Sequence, residues 1–245
     1  MTTTLAPKET YTTPTLDDNP FRFTKNTVLL VAIAHSDDEA LAAIPIKEAI
    51  HAKARIVPFT ATFGEASDRR SGDEPLSAVR HRESKAAWRA HGVDSLIYPG
   101  LPDGQLHRFV GRLTTCLSAV IAQERITDII TLGPSGYGNN DHAVVHQAAV
   151  AAARPHPSVR VLGPTTREDA EVWLPPDLDS AMDWLQYNAS QFKVVSADHA
   201  SGEERQWKRM GSFFVRQDSA DLLESHYGEF FANGEAYKNY NPSNT

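Results

Sequence analysis

From Val28 to Ala153 the chain alternates short apolar runs with longer amphipathic ones. The stretch "TVLLVAIA" has no polar interruption beyond its first residue, the pattern of a strand buried on both faces. "DEALAAIPIKEAIHAKA" then reads as a helix, "RIVPFTATF" as a second strand, "PLSAVRHRESKAAWRAHGV" as a helix and "SLIYPG" as a third strand. A helix from about His107 to Glu124 and a fourth strand, "ITDIITLG", continue the series. Parallel strands need crossovers of this length, so the repeat predicts an α/β fold: a Rossmann-like, mostly parallel sheet with helices on both faces.

Such a sheet places its chemistry beyond the carboxyl ends of its strands. That rule gathers His35, Ser36, Asp37 and Asp38 after the first strand, Gly64 and Glu65 after the second, Leu101 to Gly104 after the third, and Pro134 to His142 after the fourth. Beyond Ala153, "SVRVLG" and "EVWLP" read as shorter strands. "DSAMDWLQYNASQF" and "GEERQWKRMGSFFVRQDSADLLESHYGEFF" read as helices that complete and cover the same domain. Residues 1–26, rich in Thr and Pro, read as an extended lead-in, and 27–245 as one α/β domain with its catalytic core at about 27–153.

Composition narrows the partners. A formal charge of -7 offers no general attraction to phosphate backbones or anionic lipid, so a small-molecule substrate is expected, and neither nucleic acid nor membrane. The single cysteine, Cys116 in "LTTCLSAVIA", forms no intramolecular disulfide and reads as a small core residue. No signal-peptide core and no apolar run of membrane-spanning length is present, which predicts a cytoplasmic protein. The "PLSAVRHRESKAAWRAHG" helix and the long C-terminal helix leave a homo-oligomer open.

His35 and Asp38 lie three apart across a strand-to-helix turn, a spacing that lets an imidazole and a carboxylate converge on one ion. Consecutive acids at a helix start are also ordinary capping chemistry. "GPSGYGNNDHAVVHQAA" sets Asp141, His142 and His146 after the fourth strand, on the same edge. His142 can complete a two-His, one-carboxylate site with open positions, leaving Asp37 as general base toward a metal-bound water. In the alternative, Asp141 caps the helix and His142 and His146 form a solvated pair. Such a donor set suits Fe2+ as well as Zn2+.

These residues carry a family resemblance. "AHSDDE" resembles the AHPDDE signature of the LmbE-like, or PIG-L, zinc-dependent de-N-acetylases, and "GYGNNDHAVVH" is similar to their second signature, GYGHPDHxxxH. Between them, "TFGEAS" resembles the family's TxGE turn with Glu65, Arg80 and Glu83 fit its RxxE helix, and "GLPDG" fits the loop carrying a substrate-binding Asp. Near the C-terminus "NASQF" and "GEFF" resemble the H-x-S-Q and E-A-F segments, with "DHAS" at Asp198 to Ser201 a competing match for the former.

The resemblance implies that His35, Asp38 and His142 bind zinc and that Asp37 is the catalytic base. Tyr137 would polarise the amide carbonyl, and Asp141 would orient a neighbouring imidazole. Arg80 and Asp103 would contact a substrate sugar, with Glu65 and Asn139 lining the same pocket. The implied reaction is removal of an N-acyl group, N-acetyl above all, from a small amino sugar or glycoside by a zinc-activated water. Two departures from the family pattern matter. Ser36 replaces its Pro, and Asn139 replaces the first His of HPDH, a residue that in the family assists the oxyanion or the leaving amine. Asn139 donates a hydrogen bond but delivers no proton, so a different reaction on a small metabolite, with the same fold and metal, is the alternative.

Overall fold

The computed structural model describes residues 20–66, 74–165, 172–174, 177–195, 213–216 and 235–240. Its main sheet has six strands in the order β2-β1-β3-β4-β8-β5. β1 (Val28–Ile33) pairs in parallel with β2 (Arg55–Thr60) and β3 (Asp128–Ile130), and β3 with β4 (Arg160–Pro164). β8 (Glu235–Asn239) closes that side, antiparallel to both β4 and β5 (Val172–Leu174). The mostly parallel α/β architecture expected from the alternation is therefore present. β1 is apolar throughout because strands and helices enclose it; every residue from Leu29 to Ile33 is buried.

Crossovers supply the helices. α1 (Ala43–His51) and α2 (Leu76–Ala90) follow β1 and β2, while α3 (Val110–Glu124) and α4 (Asn140–Ala153) precede and follow β3. Right-handed connections put the first pair on one face and the second on the other, because the chain returns to the far side of β1 after α3. α5 (Leu178–Leu185) joins the first face, where Trp184 meets Trp88 of α2 edge-on with centroids 4.7 Å apart. The reversal of strand order between β1 and β3 creates a crevice at their carboxyl ends, the usual place for a ligand in such sheets.

Several elements differ from the sequence reading. The expected third strand, "SLIYPG", is a single parallel bridge from Ile97 to Phe59. Ile97 donates to the Pro58 carbonyl, but Pro58 has no N–H on that side, so the ladder cannot extend toward Ser95. "DEALA" is a 3-10 turn, Asp38–Ala42, ahead of α1. The helix expected over "DSAMDWLQYNASQF" ends at Leu185, and Phe192 begins β6 (Phe192–Val195). β6 pairs in parallel with β7 (Phe213–Arg216), a strand inside the long run read as helix; "DHAS" and "GEFF" lie outside the described residues. At the end of the expected lead-in, Phe21 and Phe23 are buried, stacked 5.3 Å apart, and Phe21 meets the buried ring of Tyr237 edge-on.

Candidate metal centre

β1 delivers the chain to the crevice, and the next four residues turn back on themselves. The amides of Ala34 and His35 donate to Asp38 Oδ2 at 3.1 and 2.8 Å, which closes the turn and pins one carboxylate oxygen. Asp38 Oδ1 faces His142 Nε2 at 3.1 Å. The three consecutive acids have different surroundings. Asp37 precedes the 3-10 turn but makes no capping bond, and it retains 9% exposure. Glu39 is fully buried, accepting from Ser84 Oγ at 3.2 Å and Trp88 Nε1 at 3.0 Å. Burial pushes its carboxyl pKa well above the ordinary value, favouring the neutral acid.

The second ligand loop comes from α4. Asn139 is its N-cap, its side-chain oxygen accepting from the Asp141 amide at 2.9 Å. Gly136, at φ +57°, lets the preceding turn approach the helix: a Cβ there would lie 2.6 Å from the Ala143 nitrogen. This arrangement brings His142 Nε2 to 3.0 Å from His35 Nδ1, which is 3.4 Å from Asp38 Oδ2. One ligand atom from each of His35, Asp38 and His142 lies within 4.8 Å of the others.

Electrostatics agree with that geometry. Burial alone would raise the Asp38 pKa, but His142 and His35 hold it far below the carboxylate range. Burial alone would lower His35, yet Asp38, with Asp103 and Asp141, holds it well above the ordinary value. The pocket thus favours positive charge among these donors, the charge a divalent ion brings. His142 Nδ1 is buried with no hydrogen-bond partner among the described residues, which leaves Nε2 as its working nitrogen. Two imidazoles and a carboxylate on rigid strand and helix ends fit a divalent metal with open positions.

An outer ring of polar groups surrounds the donors. His35 Nε2 lies 3.1 Å from Asp103 Oδ1 and 3.8 Å from Asp141 Oδ2. Asp103 Oδ2 accepts from the Ala66 amide at 2.9 Å; Glu65 accepts from the amides of Asp103 at 3.0 Å and Phe63 at 3.2 Å. Asp141 accepts from the amides of Gly104 at 2.7 Å and Leu106 at 3.1 Å. Arg80 is buried and donates to the carbonyls of Phe63 and Gly64; burial lowers its pKa, and Asp37 is foremost among the carboxylates that sustain its charge.

The crevice therefore gathers His35, Asp38, Asp103, Asp141 and His142, with Asp37 at the same turn. Asn139 is exposed at the helix start, and the side chain of Tyr137 lies outside the described residues. His146 is not a solvated partner of His142: it is buried, edge-on to Tyr240 at 4.6 Å, and burial lowers its pKa to about 4. Sequence reasoning did not find the ties to the C-terminal segment. Gln191 Nε2 donates to Ser36 Oγ at 3.3 Å, and Ser190 donates to Glu83 through its amide at 2.8 Å and its hydroxyl at 2.6 Å. Their only sequence signal was "NASQF".

A family model described as PIG-L, GlcNAc-PI de-N-acetylase, matches residues 30–153, just over half of the 245. The chain belongs to the PIG-L family. Three solved structures share the PIG-L fold seen here. N,N'-diacetylchitobiose deacetylase from Pyrococcus horikoshii is 16% identical with a TM-score of 0.60, over 92% of this chain and 87% of that one. GalB, a 4-carboxy-2-hydroxymuconate hydratase from Pseudomonas putida, is 16% identical with a TM-score of 0.55, over 89% and 97%. A zinc-inhibited form of a teicoplanin deacetylase is 17% identical with a TM-score of 0.54, over 88% and 100%. No curated protein sequence matches significantly.

Within the PIG-L match, both signature segments meet at the crevice, one after β1 and one opening α4. The ties of Ser190 to Glu83 and of Gln191 to Ser36 bring "NASQF" beside the first signature and the RxxE helix. Asn188, the first residue of "NASQF", is fully buried and donates to the Trp184 carbonyl at 3.3 Å.

Proposed function

We propose that this chain is a metal-dependent hydrolase that removes an N-acyl group, in the first place N-acetyl, from a small amino sugar or glycoside. The observation that carries the reading is the convergence of His35 Nδ1, Asp38 and His142 Nε2 within 4.8 Å, beside an Asp37 that makes no capping bond. His35, Asp38 and His142 would hold a divalent ion, zinc first and Fe2+ as the other candidate. When bound, such an ion polarises an acyl carbonyl and makes water more acidic.

The chain's own groups supply the rest. Asp37, which precedes a ligand directly and is not tied to the turn, takes the proton of the attacking water and returns it to the leaving amine. Tyr137 donates toward the carbonyl oxygen. Arg80 supplies positive charge behind the loop that carries Glu65. Asn139, with its carbonyl capping α4, presents its amide N–H groups but no titratable proton. Membership of a de-N-acetylase family supports hydrolysis of an amide.

Asn139 also supports a second reading, in which the same site acts on another small metabolite. A hydratase is among the proteins that share this fold. The test is assay of metal-stripped protein on N-acetylated amino sugars, other amides and unsaturated carboxylic acids, with zinc or Fe2+ added back. Metal-dependent amine release from an N-acetyl sugar supports the first reading. Turnover confined to the unsaturated acids replaces it with the second.

A further inference from the structure

We infer that Asp103 is a positioning residue that fixes the tautomer and ring orientation of His35, a role beyond any contact it makes with substrate. The inference rests on the metal-site reading above. His35 has two faces: Nδ1 looks toward Asp38 and His142, and Nε2 looks toward Asp103 Oδ1 at 3.1 Å. A ligating imidazole offers a bare nitrogen to the metal and carries its proton on the other, so Nε2 needs a hydrogen-bond acceptor.

Two carboxylates stand near that proton. Asp141 lies 3.8 Å from Nε2, beyond hydrogen-bond range, and its oxygens already accept from the amides of Gly104 and Leu106. Asp103 is within range. Its second oxygen accepts from the Ala66 amide, so each oxygen already holds a donor from the protein. Its backbone is fixed in turn by Glu65, which accepts from the Asp103 and Phe63 amides and thereby joins the loop after β2 to the loop at 101–106.

The consequence is a line of contacts from Asp103 through the His35 ring to the donor cluster. A carboxylate accepting from Nε2–H keeps the proton there, holds the ring plane and raises the electron density at Nδ1. The side chain of Asp103 is only 12% exposed, so little water competes for this bond.

The experiment uses the substrate-free, full-length protein and Co2+ as a visible probe. Wild type, Asp103→Asn, Asp103→Ala, His35→Ala and His142→Ala are stripped and titrated with Co2+, following affinity and the d–d absorption band. Asp103→Ala is expected to weaken Co2+ by about 10- to 100-fold and to shift the band. Asp103→Asn, which keeps a neutral acceptor for Nε2–H, is expected to fall between it and wild type. Unchanged Co2+ affinity and band in both Asp103 variants overturns the inference. Wild-type Co2+ binding by His35→Ala and His142→Ala overturns the metal reading beneath it, a result distinct from the first.

Discussion

His35 Nδ1 and His142 Nε2 lie 3.0 Å apart although 107 residues separate them in the chain. Two imidazole nitrogens at that distance face each other across either an N–H···N hydrogen bond or a bound cation. Asp38 lies beside both rings with one oxygen already bound by two amides, so the chain has fixed all three donors in advance. A site built this way loses little conformational entropy on binding an ion.

Asp37→Asn tests the base without disturbing the turn, because Asp37 makes no capping hydrogen bond. Hydrolysis of the best N-acyl substrate is expected to fall by about 100-fold or more while bound metal stays at the wild-type level. Metal analysis and turnover rates of the same preparation check it.

Gly136→Ala places a methyl 2.6 Å from the Ala143 nitrogen at a residue with φ +57°. Both faults act on the turn that aims His142, so metal affinity should drop together with a stability loss of about 1–3 kcal/mol. Urea unfolding with and without Zn2+ separates the two effects.

Glu83 is the acceptor for both the amide and the hydroxyl of Ser190. Glu83→Ala removes a charged acceptor of two hydrogen bonds in a part-buried place and is expected to cost about 1–3 kcal/mol. Co2+ binding is expected to survive, since Glu83 touches no donor of the cluster. A urea midpoint and a Co2+ titration on the same variant measure both.

The buried His146 gives stability a pH dependence. Its folded pKa of about 4 lies below the ordinary 6.5, so between those values the unfolded chain binds a proton that the folded one does not. Stability is therefore complete above about pH 6.5 and falls as pH drops toward 4, by up to roughly 3 kcal/mol at about 1.4 kcal/mol per pKa unit. His146→Leu should flatten that part of a urea-midpoint profile relative to wild type.

Much of the crevice was legible because the strand-and-helix alternation is local information. It places His35, Asp38, Asp103 and His142 at one sheet edge. It misread "SLIYPG" because apolar content is no measure of ladder hydrogen bonding, which Pro58 interrupts from another strand. It missed β8, whose partners lie far away in sequence, and it missed β6 and β7, whose residues it read into helical runs.

The sequence by itself determined the α/β alternation, the edge where polar loops gather and the residue types able to hold a divalent ion. Each of these follows from periodicity and side-chain chemistry within a few neighbouring residues. Only the tertiary structure decided that Asp38 is charged while Glu39, next to it, favours the neutral acid, and that Asp103 faces His35. Charge state and hydrogen-bond partner depend on what lies within about 3–4 Å, and in this fold those neighbours come from loops and helices distant in the chain.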